Sequence, residues 1–116
     1  MRRPTTAVAA VVGLLLALTA CQSGAASGKV QGTDAELACA AVSRLPERMP
    51  GTDGGQAFDI VVARLVGAEE LARAAALADA KFQPLADALR EAQQLLNVTS
   101  DPQQAEPAVK KARTYC

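Results

Sequence analysis

Apolar residues between positions 33 and 116 recur at intervals of three and four, the spacing that places them on one face of an α-helix. The longest such stripe runs from Phe58 to Leu96, and charged residues fall mostly outside it. Its members are Phe58, Val61, Leu65, Ala68, Leu71, Ala75, Ala78, Phe82, Leu85, Leu89, Ala92 and Leu96. The pattern predicts an all-α fold, a small antiparallel bundle of three to four helices rather than a coiled coil.

The first helix has a recognisable start and end. Thr33 and Glu36 have capping-box spacing, in which the Thr hydroxyl accepts from the Glu36 N–H and the Glu36 carboxylate reaches back to Thr33. Leu45-Pro46 predicts the end of this helix or a break in it, because proline disfavours helical backbone in the residue before it. Residues 50–55, rich in Pro and Gly, predict a loop.

Pro84 interrupts the long stripe. It has no backbone N–H, and in a continuous helix its ring would clash with the carbonyl of Ala80 at a cost of about 3 kcal/mol. We therefore expect a break near residues 81–83, with one kinked helix as the alternative. Residues 97–100 predict a second loop. Asp101 as N-cap, followed by a proline in the first helical position, predicts the last helix.

The N-terminal segment has the pattern of an export signal. Arg2 and Arg3 form a positive head, and residues 7–20 are uncharged, mostly Ala, Val and Leu. As a helix this stretch would span about 21 Å at ~1.5 Å per residue, short of a hydrocarbon core of roughly 30 Å. A cleaved signal peptide therefore fits better than a transmembrane helix.

The end of this segment resembles the lipobox of bacterial lipoproteins, in which an aliphatic residue and two small ones precede a cysteine. The residues concerned are Leu18, Thr19, Ala20 and Cys21. The resemblance covers residues 1–21 and implies cleavage before Cys21 and acylation of its thiol. Alternatives are an ordinary secretory signal or, from the paired arginines, a twin-arginine signal.

The lipobox divides the chain into three parts. Residues 1–20 are expected to be the signal peptide, residues 21–32 the lipidated cysteine and a flexible linker, and residues 33–116 an Ala-rich helical domain. The expected location is extracytoplasmic, with membrane lipid bound through the acylated Cys21. It would be the outer membrane if the organism has one. The helical part loosely resembles small uncharacterised actinobacterial lipoproteins, which implies no activity.

Charge and aromatic content argue against nucleic acid as a partner. Removal of residues 1–20 leaves ten Lys and Arg against twelve Asp and Glu, a formal charge of −2. Aromatic residues make up only 3% of the chain. We therefore expect neither a polybasic surface nor a set of aromatic side chains on which nucleic-acid bases could stack.

Two cysteines remain once Cys21 is acylated. Outside the cytoplasm, two cysteines in a small domain usually pair, so we expect a disulfide between Cys39 and Cys116. A metal site is not expected, because the chain contains no His and no CxxC motif.

The sequence contains no recognisable catalytic set. Without His there is no imidazole base and no His-activated nucleophile. Adjacent or i,i+4 carboxylates such as Glu69 with Glu70, or Asp87 with Glu91, are common on helix surfaces. Two opposite-charge i,i+4 pairs, Glu69–Arg73 and Glu106–Lys110, likewise predict solvated helix faces. We expect no enzyme, no catalytic residues and no cofactor.

Two functional hypotheses remain. The first is a membrane-anchored cell-envelope lipoprotein that acts as a non-catalytic interaction module for an envelope protein. The alternative is a binder of a small apolar or lipid ligand between the helices, and it ranks second because Ala-rich interfaces leave little room for a pocket of ~300 Å³. We expect no spare large apolar side chains outside the core. The contact face is therefore predicted on the third helix, at Gln83, Asp87, Arg90 and Gln94.

Overall fold

A computed structural model of the chain describes residues 32–116, which form one compact unit. This part of the chain contains four α-helices: α1 (Asp34–Ser43), α2 (Gln56–Ala78), α3 (Gln83–Thr99) and α4 (Glu106–Arg113). Short 3₁₀ turns precede α3 and α4, at Ala80–Phe82 and Pro102–Ala105. Each helix packs on the next, and α4 also contacts α1. The predicted all-α bundle is confirmed.

The residues predicted for signal cleavage and lipidation lie outside the described residues. They are Leu18, Thr19, Ala20 and Cys21, together with most of the predicted linker. Within residues 32–116, no helix is long and apolar enough to cross a membrane.

Helix α1 begins at the predicted capping box. Thr33 Oγ1 accepts from the N–H of Glu36 at 3.2 Å, and Glu36 Oε2 accepts from the N–H of Thr33 at 2.8 Å. Two of the four N–H groups that lack an intrahelical partner at this helix end are thereby satisfied. The helix ends at Ser43, just before Leu45-Pro46, as the proline predicted.

The long stripe is divided into two helices, as Pro84 predicted, but the break begins earlier than residues 81–83. Helix α2 ends at Ala78, and Asp79 is extended, with φ −149°. Asp79 Oδ1 accepts from the N–H of Lys81 at 3.0 Å and caps the 3₁₀ turn. Pro84 then lies in the first turn of α3, where a backbone donor is not needed.

The predicted loop at residues 97–100 is wrong for most of its length. Helix α3 continues to Thr99, whose hydroxyl donates to the carbonyl oxygen of Leu95 at 2.6 Å. The left-handed conformation of Ser100, with φ 54°, ends the helix. The predicted N-cap at Asp101 is confirmed, although it opens a 3₁₀ turn and α4 begins only at Glu106.

The core consists of a few large aliphatic side chains separated by alanines. The largest fully buried residues include Val42 from α1, Leu65 from α2, Leu85 and Leu89 from α3, and Val109 from α4. Alanines that are completely or almost completely buried lie between them: Ala38, Ala68, Ala72, Ala88, Ala92 and Ala112. Because alanine adds so little volume, these positions allow neighbouring helix backbones to approach each other closely around the larger side chains.

Candidate functional site

The predicted cysteine pair joins α1 to the C-terminus. The Cα atoms of Cys39 and Cys116 are 5.6 Å apart, within the range that a disulfide requires, and their sulfur atoms are in bonding contact. Cys39 is half-buried and packs against the core. The pair therefore fixes the end of α4 to the first helix.

Polar contacts hold the segment between α1 and α2 to α4. Arg113 Nη2 donates to the carbonyl oxygens of Leu45 at 2.6 Å and Pro46 at 3.3 Å. The N–H of Met49 donates to Glu106 Oε1 at 2.7 Å. We refer to these contacts as the α4 latch. Together with the cysteine pair, the latch fixes α4 at two places.

Neither predicted i,i+4 ion pair is present. Glu106 accepts from the backbone of Met49 instead of pairing with Lys110. Arg73 pairs with Glu70 rather than with Glu69. The expectation that Glu69 lies on a solvated face is wrong, because only 7% of it is exposed and it is the charged residue buried in the described part of the chain.

A shallow groove of about 290 Å³ lies where α2 and α3 meet, next to the break at Asp79. Its walls carry Glu69, Arg73, Ala76 and Leu77 from α2 and Gln83, Ala86, Asp87 and Arg90 from α3. We call it the α2/α3 groove. It brings together three residues of the predicted contact face, Gln83, Asp87 and Arg90, whereas Gln94 does not line it.

The charged side chains at the rim of the α2/α3 groove are already paired. Asp87 Oδ1 accepts from Arg90 Nη2 and from Gln83 Nε2, each at 2.9 Å. Arg73 is paired with Glu70. Among residues 32–116, the Glu69 carboxylate accepts no hydrogen bond and forms no ion pair. The groove therefore contains one carboxylate without a partner in this part of the chain.

Large apolar side chains do lie outside the core, contrary to the expectation from sequence. Leu77 and Val98 are each 85% exposed, and Tyr115 is 47% exposed. Leu77 lies at the wall of the α2/α3 groove, beside the charged rim, whereas Val98 does not line it. An exposed leucine next to a groove with a polar rim has the composition of a small contact surface.

Three further grooves, of about 720, 530 and 410 Å³, are open to solvent. The largest lies beside the α4 latch and is lined by charged residues and one proline: Glu47, Arg48, Glu106, Pro107, Lys110 and Arg113. The other two adjoin the start of α1 and share Phe82. These walls offer few large apolar side chains to an apolar ligand.

The junction of α2 and α3 contains a perturbed carboxyl group. A hydrogen bond from the backbone N–H of Lys81 lowers the pKa of Asp79 below its ordinary value, and the positive charge of Lys81 adds to this shift. Lys81 Nζ is 3.4 Å from Asp79 Oδ2 and lies over the ring of Phe82, 4.9 Å from its centroid. This carboxyl is exposed and caps the 3₁₀ turn, so its lowered pKa reflects this capping.

The carboxylate pair Asp87 and Glu91, considered from sequence as acid/base candidates, does not form a catalytic site. Glu91 is 3.8 Å from Lys111, and Asp87 is engaged by Arg90, so the two carboxylates are each held by a cation. Within residues 32–116, no three His, Cys, Asp or Glu side chains are grouped so as to hold a metal ion.

No protein-family model, no curated protein and no solved structure matches the chain. A function is therefore inferred from the chain's own residues. Among the surfaces described, the α2/α3 groove combines three of the four predicted contact residues, an exposed leucine and an unpartnered buried carboxylate.

Proposed function

We propose that the protein is a lipoprotein of the cell envelope, anchored through acylated Cys21, whose helical domain binds another envelope protein without catalysing a reaction. The signal pattern and lipobox resemblance of residues 1–21 support the location. Two or three acyl chains, at about 0.8 kcal/mol per buried CH₂, would hold the protein durably at the outer face of the membrane.

The observation that carries the interaction role is Leu77 beside the α2/α3 groove. Transient interfaces combine an apolar anchor with a polar, partly hydrated rim. Leu77 supplies the anchor, and the ion pairs of Arg73 and Arg90 supply the rim. The α4 latch and the cysteine pair support this role, because a domain whose last helix is fixed at two places loses little conformational entropy on binding.

The apolar-ligand alternative has less support. A ligand pocket normally encloses most of its ligand and is lined mainly by hydrophobic side chains. The grooves described here are open, and the largest is lined mostly by charged residues. Catalysis also has less support, since the chain has no His and the Asp87 and Glu91 carboxylates are engaged in ion pairs.

Photo-crosslinking in intact cells tests the proposal. A photoreactive phenylalanine analogue is placed at Leu77 in one strain and at Val98 in another. The two positions are equally exposed, at 85%, and differ in their relation to the groove. We expect a discrete protein adduct from position 77 and none of the same mass from position 98.

Two results would contradict the proposal. One is the absence of any adduct at position 77, or the same adducts at both positions. The other is an adduct of lipid or small-molecule mass at position 77, which would favour the ligand-binding alternative.

A further inference from the structure

We propose that the α2/α3 groove binds an arginine side chain of the partner protein, with the Glu69 carboxylate as its acceptor. The proposal rests on the proposed function for the existence of a partner. It adds the place of contact and the chemistry that the partner must present.

The first argument is the burial of Glu69. Only 7% of this residue is exposed, and glutamate is rarely buried to this extent without a partner. Within residues 32–116, every fully buried side-chain nitrogen or oxygen has a hydrogen-bond partner. The Glu69 carboxylate has none there, so its oxygens retain contact with solvent, and the groove is the opening that they line. Most of the residue is thus covered by protein, while its carboxylate oxygens stay accessible and free to accept.

The second argument is the local charge. Two carboxylates line the groove, those of Glu69 and Asp87, against two guanidinium groups, and a third carboxylate, that of Glu70, lies outside it. Each guanidinium is paired, Arg73 with Glu70 and Arg90 with Asp87. The remaining charge is the negative charge of Glu69. A cationic side chain would neutralise it, whereas an anionic group would be repelled.

The third argument is the shape and lining of the groove. A volume of about 290 Å³ admits a single long side chain more readily than a helix or a strand. Ala76 and Leu77 on one wall and Ala86 on the other offer apolar contact to the methylene stem of that side chain. A guanidinium can donate two parallel hydrogen bonds to one carboxylate, and it is less strongly hydrated than an ammonium, so arginine fits this partly buried acceptor better than lysine.

The test uses the full-length protein in detergent micelles and a capped arginine, N-acetyl-arginine methylamide, as the probe. NMR signals of the groove residues are followed during the titration, with the capped citrulline analogue as the uncharged control. We expect saturable binding of the arginine probe in the millimolar range, from the ion pair together with the apolar contact of the stem, and no saturable binding of the citrulline probe.

Two matched variants locate the acceptor. Glu69→Gln should weaken probe binding about tenfold or more, because a neutral amide replaces the charged acceptor. Glu91→Gln makes the same chemical change at an exposed site of α3 that does not line the groove, and it should leave the affinity unchanged. Circular dichroism of both variants verifies that they fold. A third variant, Glu69→Met, fills the same volume without charge and should also abolish probe binding.

Several outcomes would overturn the proposal. They are an arginine probe that does not saturate, a citrulline probe that binds equally well, and equal effects of the two Gln variants. Binding that emerges only after Arg73→Gln would also overturn it, because Arg73 would then be the natural partner of Glu69. If the probe fails while position 77 still captures a protein, only the groove chemistry is wrong. If the probe binds while no protein is captured, the proposed function is wrong.

Discussion

Removal of the Cys39–Cys116 bond should cost this domain a large part of its stability. The two cysteines are 77 residues apart in sequence. In the chain-entropy model, closing a loop of this size destabilises the unfolded state by about 4.5 kcal/mol. A small domain has a total stability of roughly 5–15 kcal/mol, so the bond accounts for a large fraction of it.

The assay is urea unfolding of the double variant Cys39→Ala with Cys116→Ala, followed by circular dichroism and compared with the wild type under oxidising and reducing conditions. We expect the variant and the reduced wild type to lose about 3–5 kcal/mol each and to keep their helical signal without urea. The helices persist because the core from Val61 to Leu96 and the α4 latch do not depend on the bond. A loss below about 1 kcal/mol, or complete loss of helicity, would refute this reasoning.

Three further predictions concern single positions. Cys21→Ala should abolish the acylated N-terminal peptide in mass spectra of membrane-purified protein, and an unmodified Cys21 thiol in the wild type would contradict the anchor. Arg113→Ala should lower the free energy of unfolding by about 1.5–3 kcal/mol, since it removes a charged donor from the Leu45 carbonyl, whereas exposed Lys110→Ala should change it by less than about 0.5 kcal/mol in urea unfolding. Asp79→Ala should lower the melting temperature at neutral pH. Because the folded-state pKa of Asp79 lies below 3.8, the difference in melting temperature between wild type and variant should shrink as the pH falls below 3.8. A difference that does not change with pH would contradict the capping role.

Local sequence signals predicted most of the fold. The capping box at Thr33, the stop at Pro46 and the N-cap at Asp101 each act within a few residues, so their effects are readable from spacing alone. The two errors in the helix bounds also have local causes. Asp79 caps a 3₁₀ turn and ends α2 five residues before Pro84. The hydroxyl of Thr99 donates to the carbonyl of Leu95, so α3 continues through the residues predicted as a loop.

The candidate site was only partly predictable. Helical spacing brings Gln83, Asp87 and Arg90 to one face, and that face borders the groove. The burial of Glu69 was not predictable, because it depends on how α3 crosses α2 rather than on the sequence around position 69. The Glu106 contact was missed for the same reason, since its partner Met49 is 57 residues away.

The most direct test of the account is the yield of the position-77 photo-crosslink in cells that also carry Glu69→Gln or Glu91→Gln. Both variants lose one carboxylate, and of the two residues only Glu69 lines the groove. We predict that Glu69→Gln abolishes or strongly reduces the protein adduct while Glu91→Gln leaves its yield close to wild type. Equal yields in the two variants, with both proteins folded and present at the membrane, would contradict the account.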